Sequence, residues 1–281
     1  MTHRHFIQAH FSSARRGLSK PPGVFTSALV LAALGACSNA DPAVPLGVAQ
    51  QPILRGQRDR EHPQVMLLAN QAGFLCTGTL IHVQDRTGFL LTAAHCVTEE
   101  VEGAPRLPAE QFVVIAGDDF EASSTGFAVE AIRVHPGYDG SFAVDDLAIV
   151  QLDLGDTVAP AVIPALSAKE DELELNDDLL LVGYGQTELA EDNSVRRHVA
   201  RDIAGIDEDL IFYSQEDGKG TCFGDSGGPG LVEVGGAERV ASVTSGGVDA
   251  DARCRGGFGV GMRVSSYADF IDSALSGQST D

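Results

Sequence analysis

Past residue 65 the apolar residues come in short runs, most of five to eight, and each run stops at Gly, Pro, Asp or Asn. The runs at 65–69, 88–92, 112–116, 147–152, 179–182, 240–243 and 257–264 are rich in Val, Ile, Leu and Phe. Runs this short, closed by turn formers, build antiparallel strands, whereas an amphipathic helix needs roughly ten or more residues of 3.6 spacing. Only 266–275 reads as a helix of any length. The expected fold class is therefore all-β, a sandwich or barrel, with length enough for one large or two small cores. No apolar run reaches the roughly 18 residues of a membrane-spanning helix, and no internal repeat is evident.

Three strings carry chemistry: Leu91-Thr92-Ala93-Ala94-His95-Cys96, Asp145-Asp146-Leu147-Ala148-Ile149-Val150, and Gly224-Asp225-Ser226-Gly227-Gly228-Pro229. In chain order they offer an imidazole, a carboxylate and a hydroxyl. A serine hydroxyl is a weak nucleophile, so it needs a neighbouring imidazole to take its proton and a buried acid to fix that imidazole's tautomer. Gly224 and Gly227 allow backbone angles closed to residues with a Cβ, which lets the N–H groups of Gly224 and Ser226 converge on a developing oxyanion. Strand alternation lets only one of Asp145 and Asp146 point inward. His135, ahead of Pro136, reads as a surface turn residue, and His62, His82 and His198 have no constellation around them.

Together these strings resemble the chymotrypsin/trypsin-like serine proteases, over about residues 53–271. Further matches are Cys76-Thr77-Gly78-Thr79-Leu80-Ile81, Val134-His135-Pro136-Gly137-Tyr138 and Val182-Gly183-Tyr184-Gly185. The resemblance implies two antiparallel β-barrels packed face to face with a C-terminal helix: a first barrel over 53–160, a second over 161–265, and helix and tail over 266–281. It implies a serine endopeptidase that acts on protein or peptide substrates through an acyl-enzyme. Ser226 would be nucleophile, His95 general base, Asp146 its orienting acid, and Gly224 and Ser226 the oxyanion donors. It also implies that Asp225 pairs with a new ammonium at Ile53 after proteolysis. The bond to be cut follows Pro52, so an activating protease of another specificity is expected. Gly220 would form the base of the primary pocket beside Thr221, Gly246 and Gly259 its walls, and Thr244 to Gly246 the strand that pairs with substrate. With no acid at that base, the expected preference is a medium to large apolar residue, unless Asp249 or Asp251 bends inward. Alternatives are a latent zymogen, a binding module on the same scaffold, and an esterase using the same residues.

No cofactor or metal is expected. Asp118, Asp119 and Glu121 lack a full loop of ligands at calcium spacing, and no Cys-x-x-Cys spacing is present. Setting Cys37 aside leaves Cys76, Cys96, Cys222 and Cys254, an even set that permits three pairings in an exported protein. The resemblance selects Cys76 with Cys96 and Cys222 with Cys254.

Residues 1–37 join a basic segment without acids to a short apolar stretch ending Leu34-Gly35-Ala36-Cys37, which reads as a secretory signal. The same string resembles a bacterial lipobox, with Cys37 lipidated in a cell-envelope protein. Ordinary cleavage after Ala40 into a secreted protein is the alternative. Residues 38–52 suit a tether or propeptide. The net charge of −21 becomes about −25 once the basic segment is removed, a surface that repels nucleic acid and anionic membrane. A lipid anchor would be the one membrane contact.

Overall fold

In the computed structural model, which describes residues 53–99, 103–157, 161–187 and 194–277, the turn-punctuated runs become strands. A short strand β1 (Gln57–Arg58) comes first. Then β2 (Val65–Asn70), β3 (Leu75–Gln84), β4 (Thr87–Thr92), β5 (Phe112–Asp119), β6 (Ser123–Val134) and β7 (Ala148–Asp153) close into an antiparallel barrel in the order β2-β3-β4-β7-β6-β5. The strands β8 (Asp178–Gly183), β9 (Arg197–Ile206), β10 (Leu210–Ser214), β11 (Pro229–Val234), β12 (Ala237–Val248) and β13 (Phe258–Arg263) follow in the order β9-β10-β13-β12-β11-β8. Pairing of β8 back onto β9 closes this sheet into a second barrel. The helix α1 (Ala268–Leu275) ends the described chain. It starts two residues later than its spacing predicts, because Val264–Tyr267 forms a 3-10 turn.

Local chemistry sets these pairings. Gly235 and Gly236, both at positive φ, join β11 to β12, the two-residue hairpin turn whose twist matches that of the strands. In β4 and β7, Leu90, Leu91, Ile149 and Val150 are fully buried. These strands are apolar on both faces because one face fills the barrel and the other meets neighbouring structure. Each such side chain stabilises the fold by about 1.5–3 kcal/mol through burial. The first core continues across the seam, since Val182, Leu231, Val240, Val243 and Met262 of the second barrel pack into it. A separate cluster around Leu179, Leu181, Ile203, Ile211 and Tyr213 fills the second barrel.

Residues 53–58, counted above with the first barrel, are bonded to the second. Gln57 and Arg58 pair with His198 and Arg197 of β9, Leu54 bridges to Gly220, and Ile53 packs into the second core at 1% exposure. The first barrel closes on itself and offers no free edge, whereas the start of β9 extends past its pairing with β10. The signal over 1–37 with Cys37, the tether over 38–52, and Pro160 in the inter-barrel segment lie outside the described residues.

Candidate active site

His95 sits in a single 3-10 turn, Ala94–Cys96, directly after β4. Two ties fix that turn. Thr98 donates its hydroxyl to the Ala94 carbonyl at 3.1 Å, and a disulfide joins Cys96 to Cys76 of β3. A bridge closing a loop of this size is worth about 3 kcal/mol. The same bond occupies both sulfurs that stand beside the imidazole, so the close group Cys76, His95 and Cys96 offers no thiolate pair to a metal.

Asp146 lies just ahead of β7 and is 2% exposed. Its Oδ1 accepts the His95 backbone N–H at 2.9 Å, and its Oδ2 stands 2.8 Å from His95 Nδ1. A third donor is Ser245, whose hydroxyl reaches Oδ2 at 2.6 Å. Burial alone would raise this carboxyl, but the donors from His95 and Ser245 outweigh it and hold the pKa below the ordinary value. Asp145 is turned away by a left-handed backbone, φ 51°, and faces His135 at 3.7 Å. This turn, ahead of the strand, separates the two acids; strand alternation is not the cause.

Ser226 comes from the segment between β10 and β11. Its carbonyl accepts the Thr77 N–H at 2.8 Å, and Gly227 donates to the Thr244 carbonyl at 2.8 Å. Gly227 has φ +80°, and a Cβ there would lie 2.0 Å from Thr92 Oγ1, so no other residue fits this crossing. Among the described residues the N–H groups of Gly224 and Ser226 have no acceptor. His95 and Ser226 line both lobes of one cleft. Cys96 Sγ lies 3.8 Å from His95 Nε2 and 3.6 Å from the Ser226 carbonyl oxygen. The second disulfide, Cys222 to Cys254, anchors the segment before Ser226.

Asp225 points the other way, into the protein. It is fully buried, and its oxygens accept the N–H groups of Gly185 at 2.7 Å and Cys222 at 2.9 Å. Burial pushes its pKa up to about 7 against those two donors. It has no cationic partner among the described residues.

The cavity beside Ser226 is lined differently from the expected primary pocket. Thr221, Thr244 and Gly246 line a cavity of about 400 Å³, together with Gln215, Ser245, Gly247 and Ala250, but Gly220 and Gly259 do not. The Gln215 side chain covers Gly220, where a Cβ would lie 2.2 Å from Oε1, and the Tyr213 ring fills the space against Gly259. Gln215 is held by Thr221 N at 2.8 Å and by the Cys254 carbonyl at 2.9 Å. The wall glycines therefore serve to admit Gln215 and Tyr213. Asp251 reaches the rim, where Arg255 binds it at 2.8 Å.

The histidines assigned no constellation also differ. His62 Nδ1 and His198 Nδ1 meet Asp59 Oδ2 at 2.6 and 3.0 Å, Arg196 Nε meets Asp59 Oδ1 at 3.2 Å, and His62 Nε2 meets Glu238 at 2.9 Å. Asp59 and His62 are three positions apart, but Arg196, His198 and Glu238 join them from 137 to 176 positions away, so local spacing does not announce the group. His135 packs edge-on against Tyr267 and Phe270 beneath α1 and is no plain surface residue. Asp118, near the end of β5, is held by Arg58 and Arg60. Sequence reading also missed Ser245, Gln215 and Tyr213. Ser245 is the extra residue of a bulge in the β12–β13 pairing, which re-aims its side chain.

Comparison with known proteins gives concordant results. The Trypsin family model matches residues 53–271. The clotting factor G beta subunit of Tachypleus tridentatus is 27% identical over 241 residues, covering 75% of this chain and 74% of that protein. Serine protease SP24D of Anopheles gambiae is 28% identical over 202 residues, covering 66% and 71%. Vitamin K-dependent protein C of Oryctolagus cuniculus is 25% identical over 238 residues, covering 75% of this chain and 49% of that protein. These relatives are eukaryotic, and they give the expectation of a bacterial lipoprotein no support.

Proposed function

The chain belongs to the trypsin family of serine proteases, and from that premise we propose that it is a serine endopeptidase working through Ser226, His95 and Asp146. The observation that carries the reading is the Nδ1 contact of His95 with buried Asp146, with Ser226 lining the same cleft. Asp146 keeps the proton on Nδ1, leaving Nε2 as the base that takes the Ser226 proton. Ser226 Oγ attacks the scissile carbonyl and gives a tetrahedral intermediate, whose oxyanion the Gly224 and Ser226 N–H groups receive. His95 then protonates the leaving amine, and water hydrolyses the acyl-enzyme by the same route. Substrates are proteins or peptides. On the acyl side, Gln215 and Tyr213 shorten the pocket to fit a medium apolar side chain, and no carboxylate stands ready at the base for Lys or Arg.

Latency belongs to the same reading. Before cleavage ahead of Ile53, the buried Asp225 carboxyl lacks a counter-charge, and a free ammonium at Ile53 would supply it. Ile53 is buried in the second core, and its neighbour Leu54 bridges to Gly220, two residues before the N–H of Cys222 that binds Asp225. The bond to be cut follows Pro52, so the activator accepts proline at that position. Two disulfides favour a destination outside the reducing cytoplasm.

The test is labelling of the processed protein with a serine-directed phosphonate. Labelling is expected on Ser226 and absent from Ser226→Ala, with casein cleavage falling on the order of 10⁶-fold in that variant. Wild-type labelling of Ser226→Ala would rule the reading out.

A further inference from the structure

His95, Phe223 and Ser226 line both lobes of the cleft, so the cleft divides at the reacting centre. The lobe bordered by Thr244, Ser245 and Gly246 takes the acyl half of a bound peptide. The leaving half then has the other lobe to enter. That lobe is the larger, about 600 Å³ against about 400 Å³, and within the range of ligand pockets, roughly 300–1,000 Å³. It runs from Gly224 and the Cys76–Cys96 bridge past Leu75 and Leu107, with Phe74 and Phe223 on its lining. Those two rings are 65% and 63% exposed on a strongly acidic chain. Water contact with two large rings at one cavity is unfavourable unless a ligand covers them. Glu99, also on the lining and exposed, disfavours an acidic occupant.

We propose that this chain selects its substrates on the leaving side of the cleaved bond, where Phe74 and Phe223, with Leu75, Leu107 and the Cys76–Cys96 bridge, receive the apolar first two residues of the departing peptide. The inference rests on the endopeptidase reading and extends it. The acyl pocket, shortened by Gln215, takes a side chain of modest size and so discriminates weakly. Discrimination comes from burial of apolar area against Phe74 and Phe223, and it acts on proteins and peptides but not on substrates with a small leaving group.

The experiment compares two quenched fluorescent peptides with one acyl half, whose leaving halves begin Leu-Phe or Ser-Ser, on the processed full chain. The expected ratio of kcat/KM is about 10- to 100-fold in favour of Leu-Phe. Phe74→Ala and Phe223→Ala should each lower that ratio several-fold, and Phe74→Leu should retain most of it, which separates lost packing from lost folding. Phosphonate labelling, which needs no leaving peptide, is run in parallel. A labelled enzyme with a ratio near one, or favouring Ser-Ser, overturns the leaving-side selection and leaves the endopeptidase reading standing. An unlabelled protein that cuts neither peptide overturns both.

Discussion

Ser245 donates its hydroxyl to the same Asp146 oxygen that faces Nδ1 of His95. The carboxylate is buried and takes charge-assisted bonds from both, which fixes its plane and thereby the ring of His95. A hydrogen bond to a charged group is worth about 1.5–3 kcal/mol. Ser245→Ala should therefore lower kcat/KM by about 10- to 100-fold, mostly in kcat, because the imidazolium forms only during reaction. Steady-state kinetics on a small ester check this. A rise in KM with kcat unchanged would contradict it.

His62 carries a pH dependence. Burial alone would lower its pKa, but hydrogen bonds to Asp59 and Glu238 outweigh burial and push it up to about 9. The groups around it are Asp59, itself held below the usual carboxylate range, Glu238, Arg196 and His198. A raised folded pKa means that the stabilisation is complete below the unfolded value of about 6.5 and is lost as pH climbs through about 9. Thermal unfolding between pH 6.5 and 9.5 should show a declining Tm in wild type and a flatter profile in His62→Gln.

Asp225 has the opposite sign. Its folded pKa is raised to about 7, so the uncut chain loses stability as pH rises from about 4 to 7, where the unfolded carboxyl ionises more readily. Asp225→Asn should remove this loss, leaving the uncut chain more stable than wild type at pH 8. The same variant should not gain activity on cleavage before Ile53. Tm against pH and active-site titration measure the two effects.

Gln215 sets pocket depth. Gln215→Ala should shift preference on the acyl side from medium aliphatic residues toward Phe and Tyr, read from a set of matched substrates. Removing its bonds to Thr221 and Cys254 should also cost about 1–3 kcal/mol of stability, visible in denaturant unfolding.

Much of this was legible along the chain. The short apolar runs forecast strands because pleated strands buried on two faces need unbroken apolar sequence, as at Leu90-Leu91 and Ile149-Val150. The strings around His95, Asp146 and Ser226 were legible because each group's local backbone demands particular neighbours, such as Gly227 at its crossing over Thr92. Strand alternation did not foresee how the two acids part, since a left-handed turn at Asp145 turns that residue toward His135 and leaves Asp146 beside His95.

Sequence alone therefore determined the strand content and offered the three side chains of the proposed chemistry, since both follow from runs and turns within a few residues. Tertiary structure decided the rest. Folding brought Ser245 to Asp146 by a bulge, laid Gln215 and Tyr213 over glycines expected to leave a slot open, and gathered half-buried His198 and exposed Glu238 around buried Asp59, His62 and Arg196. Most of these contacts, such as Ser245 with Asp146 and His62 with Glu238, join positions about a hundred residues apart or more, and all of them arise from which strands pair and where a closed barrel leaves room. No local spacing encodes that.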